Sequence, residues 1–440
     1  MVSAMTPLSP LDRRRFLQLF AAGACLPVAR SFGATAPAPA LAPATSLIAS
    51  GPRLTPAGEI LGRVAAHRPL HGGAIPADVV SRLGASHVSG RYHFTDEPYL
   101  LEGAKRTREL GYGCLKLWFT NLRRAYGFNS DWSLPKHATL LDQARHPYFV
   151  EAFEMPFSTF LLEVQITHAA THRPREGFSV SPGLDFAEEE RQVHELACHL
   201  LETYGERDVT FILQNWEGDW MLRGNAREAW MRKEFPDLAE RSDAFVRWID
   251  ARQRGVERAR EKFPRARCRV LHAVETNRVF DSLEGIATLC THVFPRVRPD
   301  LISWSCYDGM KLEHKSGDVA AVGLWQGIEI IRHYARTTLT DSQGRAQVFL
   351  GEIGVPESRF TREETVDAMD GCLATAFALE LPWIIYWQIY CNELRAGVTD
   401  RSLPTPMENL NGYWLVRPDG QPGFAADYLG RVIARAGGKL

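Results

Sequence analysis

No long apolar run, no C-x-x-C pair, no glycine-rich phosphate loop, no short-period repeat and no excess of either charge occur in this 440-residue chain. Each absence removes a class of protein. The apolar run Leu19 to Ala24 is far shorter than the roughly 20 apolar residues that span a bilayer. With 51 basic against 52 acidic residues the net charge is −1, so no field of one sign favours nucleic acid or an anionic lipid surface. Cys25 aside, the cysteines (114, 198, 268, 290, 306, 372 and 391) are odd in number and widely spaced. They point to neither a zinc site nor a disulfide framework and read as small buried hydrophobes. A doubly wound sheet usually opens on a glycine-rich turn after its first strand, and none is present. His168 and His172 stand four apart as helix-borne ligands would, but no third ligand is near, so they read as a surface pair.

What is present begins at the N-terminus. Asp12-Arg13-Arg14-Arg15-Phe16-Leu17-Gln18 leads into the short apolar run and then an Ala/Pro-rich tract. This resembles a twin-arginine export signal with a small-residue cleavage site at Ala34-Thr35-Ala36. The resemblance implies export of the folded chain, a periplasmic or secreted location and the twin-arginine machinery as a partner. Cys25 follows Ala22-Gly23-Ala24, a faint likeness to a lipoprotein acylation site without its leucine. The expected organisation is a signal peptide over 1–36, a flexible leader over 37–58 and one catalytic domain over 59–440. Apolar residues at 45% and aromatics at 10% describe an ordinary globular core, and the 11 tryptophans include faces on which sugars could stack.

From about residue 60, short apolar runs alternate with amphipathic helices. Strands are expected at 86–89, 113–119, 159–166, from 209, 268–274, 301–306, 347–350 and 383–390. Helices are expected at 98–110, 187–204, 238–263, 283–293, 319–335, 362–379 and 424–436, with a short one near 146–154. Eight strands with helices between them make a (β/α)8 barrel, whose active site lies where the strands end. The opening of the fourth, Val209 to Trp220, is the densest stretch: a strand that turns into Gln214, Asn215, Trp216, Glu217, Asp219 and Trp220. The strand-end acids are Glu217, Asp219, Glu275, Asp308, Glu352 and Glu393. Two or three of them should be structural. Two carboxyl groups facing one another are the parts needed for glycoside hydrolysis, one protonated for the leaving oxygen and one ionised to attack carbon or activate water. Strands four and seven stand roughly opposite, so Glu217 and Glu352 are the candidate pair, with Asp219 the rival proton donor. Glu275 and Asn277 read as substrate-hydroxyl binders or as caps of the next segment.

The run VFLGEIGVPES resembles the nucleophile segment of clan A glycoside hydrolases, family 5 above all. That resemblance implies Glu352 as nucleophile and Glu217 as acid/base, hence retention. It also implies Tyr307 and Asn215 as catalytic support and Trp387, in IIYWQIY, as a sugar platform beside Trp216 and Trp220. Asn411 to Val416 followed by Arg417-Pro418-Asp419-Gly420 resembles the hairpin before the last helix. Two positions depart from the pattern: Trp216 separates Asn215 from Glu217, and Lys116 stands where the clan has an arginine. The substrate class implied is an oligo- or polysaccharide, and no metal or organic cofactor is required. Two other readings use similar parts, a metal-dependent barrel such as a sugar isomerase and a carbohydrate-binding barrel without catalysis. Restoration of chelator-abolished activity by a divalent ion would mark the first.

Overall fold

The computed structural model describes residues 51–135, 137–166, 180, 182–224 and 237–437. The twin-arginine stretch, Cys25, most of the leader and the pair His168 and His172 lie outside them. Eight parallel strands close into a barrel in chain order: β1 Leu83–Ser86, β2 Cys114–Phe119, β3 Thr159–Val164, β4 Thr210–Gln214, β5 Arg269–Thr276, β6 Leu301–Ser305, β7 Val348–Ile353 and β8 Ile384–Tyr386. The main helices are α1 Ala57–Val64, α2 Tyr99–Glu109, α3 Pro147–Glu154, α4 Phe186–Thr203, α5 Leu238–Lys262, α6 Gly317–Tyr334, α7 Arg362–Ala378 and α8 Phe424–Arg435. The expected (β/α)8 architecture is the observed one. No helix among the described residues is long and apolar enough to cross a membrane.

The strands form because their apolar residues are covered on both sides, by the barrel interior and by the helical ring, which suits continuous apolar runs such as FLL and FIL. Trp304 on β6 shows how tightly the ring is applied. A Cβ added at Gly327 of α6 would sit 2.0 Å from its indole, and one at Gly309 would sit 2.4 Å away. Thr361 and Glu364 form a reciprocal capping box at the start of α7, a device worth about 1 kcal/mol.

Several boundaries differ from expectation, among them the helix expected at 283–293, which is a 3-10 turn at Phe280–Glu284 and a separate one-turn helix at Leu289–His292. The first strand is Leu83–Ser86, not 86–89, because Gly84 and Ala85 carry little apolar signal while pairing with β2 and β8. His87 leaves the ladder; its Nε2 lies 2.7 Å from the Tyr99 carbonyl, and a Cβ at Gly103 would collide with its ring. The fifth strand runs on to Thr276, which places Glu275 inside it. The eighth is only Ile384–Tyr386. Tyr307 is not on the sixth strand but opens a one-turn helix, Tyr307–Met310. The segment before α8 does fold back on itself, with Arg417 N donating to the Gln421 carbonyl and Val416 bridging Pro422.

Candidate active site

Register fixes which side chains share the barrel mouth. Ser86 pairs with Lys116 and Trp118 with Glu163, which pairs in turn with Gln214. Parallel partners point to the same face and residues two apart do too, so Lys116 lies one layer below the row Trp118, Glu163 and Gln214. Lys116 is fully buried and its Nζ reaches three carboxylates: Glu163 at 3.2 Å, Glu275 at 3.4 Å and Glu352 at 3.3 Å, besides the Gly351 carbonyl at 3.1 Å. Burial alone would lower its pKa, but Glu275, Glu352 and Glu163 outweigh that and raise it. The ammonium therefore stays charged at every pH of interest.

Glu275 is held on all sides. Its Oε2 accepts from Gln214 Nε2 at 2.9 Å and Ser303 Oγ at 2.8 Å, and its Oε1 from the backbone N–H of Glu217 at 3.1 Å. Desolvation nevertheless pushes its pKa up, with Lys116 opposing. Glu163 rises to about 7 for the same first cause, countered by Lys116 and by the Gln214 amide at 2.9 Å. This packing explains the glycine ahead of Glu352: a Cβ at Gly351 would lie 2.0 Å from Ser303 Oγ and 2.6 Å from Glu275 Oε2.

Glu217 and Glu352 come together through Ser305, whose Oγ lies 2.7 Å from Glu217 Oε1 and 3.3 Å from Glu352 Oε2. A hydroxyl has one proton to give. Ser305 can therefore donate to only one of the two carboxyl groups at a time. Glu217 takes φ 22°, ψ 70°, in a region where a non-glycine residue pays about 1–2 kcal/mol. Its N–H bond to Glu275 holds it there.

The remaining candidates are placed as follows. Asn215 is spent on backbone, its Oδ1 accepting from Glu275 N and its Nδ2 donating to the Glu275 carbonyl, both at 3.1 Å. Asp219 accepts from Thr276 Oγ1 at 2.7 Å and from the backbone N–H groups of Asn277 at 2.7 Å, Arg278 at 3.1 Å and Leu289 at 2.7 Å. Asn277 Oδ1 takes the N–H of Asp219 at 3.2 Å. These two residues tie β4 to the loop after β5. Trp220 is buried, with the Arg278 guanidinium over its ring at 5.8 Å. Trp387 is buried and oriented by Glu393, which also accepts from Asn411. Tyr307 packs edge-on against Tyr413 at 6.1 Å, beside Gly354. Asp308 accepts from Trp304 Nε1 and Phe280 N, both at 3.1 Å, and burial lifts it to about 7.

No protein-family model and no curated protein matches this chain. Among solved structures it is similar to a GH5_18 protein from Bifidobacterium longum subsp. infantis, at 15% identity and a TM-score of 0.49 over 80% of this chain and 78% of that one. A family 39 glycoside hydrolase from Bacteroides cellulosilyticus WH2 gives 13% and 0.42 over 82% and 65%. Bacteroides uniformis β-glucuronidase 2 gives 11% and 0.40 over 65% of this chain, which spans about 29% of that protein's length. These likenesses are remote, and the chemistry rests on the side chains.

Four residues of the cluster escape a reading by strand ends: Glu163, Gln214 as a partner of carboxylates, Ser303 and Ser305. Their signal was a polar residue in an otherwise apolar strand, E in TFLLEV and alternating S in LISWS. Strand periodicity turns such residues to one face, and a charge buried there requires a partner.

Proposed function

We propose that the chain is an exported glycoside hydrolase acting with retention through Glu217 and Glu352. The observation that carries this is the single hydroxyl shared by two buried carboxyl groups from the ends of β4 and β7. One serine hydroxyl within reach of both groups supports a closely spaced pair, as retention requires.

In this reading Glu217 is the acid, and the Ser305 hydroxyl links it to Glu352. Glu352 is the nucleophile, flanked by the Lys116 ammonium at 3.3 Å. As it forms a bond to the anomeric carbon, the glycosidic bond breaks and Glu217 protonates the departing oxygen. Glu217, now ionised, takes a proton from water as that water attacks the same carbon and frees Glu352. Asp219, with four donors on its two oxygens, acts as a structural hub and not as the proton donor. Trp216 is the aromatic partly open to a sugar, while Trp387 has no exposed face and backs the site.

A screen of aryl glycosides and polysaccharides, run beside Glu217→Gln and Glu352→Gln, tests this. Full activity in both variants would end the assignment, and NMR of the first-formed product reports whether the anomer is retained. Export is tested separately: replacing Arg13 and Arg14 by Lys should strand the protein in the cytoplasmic fraction.

A further inference from the structure

Beside the Lys116 layer lies a narrow pocket of about 30 Å³ whose walls are Trp118, Trp216, Trp248, Met221 and Val164, with Glu163 lining it. That volume holds about two waters, less than a sugar ring. Glu163 is 3% exposed, and only one of its oxygens is engaged: Oε1 meets Lys116 and Gln214, whereas Oε2 is buried without a hydrogen-bond partner. Gln214 Oε1, next in the same row, is likewise unpartnered. Buried polar atoms are rarely left so, since an unmet acceptor costs about 1–3 kcal/mol. Arg252, the second cation near Glu163, pairs with Glu189 at 3.1 Å and donates to the Val164 carbonyl, while its Nη1 has no hydrogen-bond partner. The pocket thus offers apolar walls and, on Glu163, an unmet carboxyl oxygen in a space too small for a ring.

We propose that this pocket receives the exocyclic hydroxymethyl arm of a hexopyranoside, its methylene against the indoles of Trp118 and Trp216 and its hydroxyl donating to Glu163 Oε2. The proposal rests on the glycosidase reading and names its substrate class. Lys116 fixes the relation between the two functions, because the same ammonium touches Glu163 and Glu352 and so sets the pocket one short span from the carbon that Glu352 attacks. A uronide would bring a carboxylate against Glu163 and be rejected where Glu163 is ionised, above about pH 7. A pentoside or a 6-deoxyhexoside would leave the carboxyl oxygen unmet. The position of Trp216 between Asn215 and Glu217 acquires a reason here, since it carries one wall of the pocket.

The test compares hexosides, their 6-deoxy analogues, the matching pentoside and the uronide, as aryl glycosides, with the full-length enzyme and with Glu163→Leu and Glu163→Gln. Binding of the corresponding methyl glycosides to Glu352→Gln is followed by calorimetry. Wild type should prefer the hexoside over its 6-deoxy analogue by roughly 10- to 100-fold in kcat/KM, and Glu163→Leu should collapse that preference to within about threefold. A merely structural role for Glu163 would lower both substrates together and leave the ratio intact. Glu163→Gln, which keeps the shape, should retain part of it. Equal handling of hexoside and 6-deoxyhexoside by wild type, or preference for the uronide, overturns the pocket assignment alone. Absence of turnover and of binding across the whole panel overturns the glycosidase reading with it.

Discussion

Two kinds of carboxyl group stand within a few residues of each other at the barrel mouth. Asp219 is saturated, with three backbone N–H groups and a threonine hydroxyl on its two oxygens. Glu217, two residues earlier, shares one serine hydroxyl with an acid from across the barrel. Both are buried, so burial does not separate them. What separates them is the kind of partner. Asp219 is held mostly by backbone donors that cannot move, so its loss should be felt in folding. Glu217 meets a side-chain hydroxyl that a second acid also reaches.

That contrast can be broken experimentally at several points. The largest effect is expected for Glu352→Gln, with turnover lost by on the order of 10⁴-fold or more and the melting temperature little changed. Glu217→Gln should cost about 10²–10⁴-fold for substrates with poor leaving groups and far less for activated aryl glycosides, which need no proton; a flat leaving-group dependence would contradict the role. Asp219→Ala should show the converse. It strands four donors and should destabilise the fold by about 3–5 kcal/mol, read as a denaturant midpoint, with a smaller loss of kcat per folded molecule. Ser305→Ala should lower kcat by about tenfold and move the pH profile, because the two acids lose the hydroxyl that links them.

The smallest effect concerns pH and stability. The folded-state pKa of Glu163 is raised to about 7 by desolvation, above its unfolded value. The folded protein then holds a proton that the unfolded chain has lost, so stability falls as pH rises from the ordinary glutamate range through about 7. Burial lowers His272 to about 3 and His87 to about 4; these act on the other side, removing stability as pH falls below about 6.5. Glu275 and Asp308 are raised to about 7 as well, so Glu163→Gln should reduce, without abolishing, the loss on raising pH, measured as melting temperature against pH between 5 and 8.

The barrel was legible in the sequence because its strands are apolar on both faces and its helices amphipathic. Strands two to seven stood out for that reason. The first did not: Leu83-Gly84-Ala85-Ser86 is a strand by its partners rather than by its own composition. The acids at strand ends were equally visible as candidates, but their division into hubs and shared pairs was not. Asp219 and Glu217 look alike in a line of text; only the donors brought by Thr276, Asn277, Arg278 and Leu289 distinguish them. Glu163 and Ser305 were hidden for the opposite reason. Each is one polar residue in an apolar strand, and its importance lies in what stands across the barrel from it.

Lys116 has a mechanical consequence as well as an electrical one. From β2 its ammonium touches side chains of β3, β5 and β7, so it acts as a spoke across the bore. A closed ring of strands can ovalise without breaking any ladder, and hydrogen bonds between neighbours do little to resist that. A spoke joining non-neighbours does resist it. The distances between β2, β5 and β7 across the bore are held by the length of one lysine.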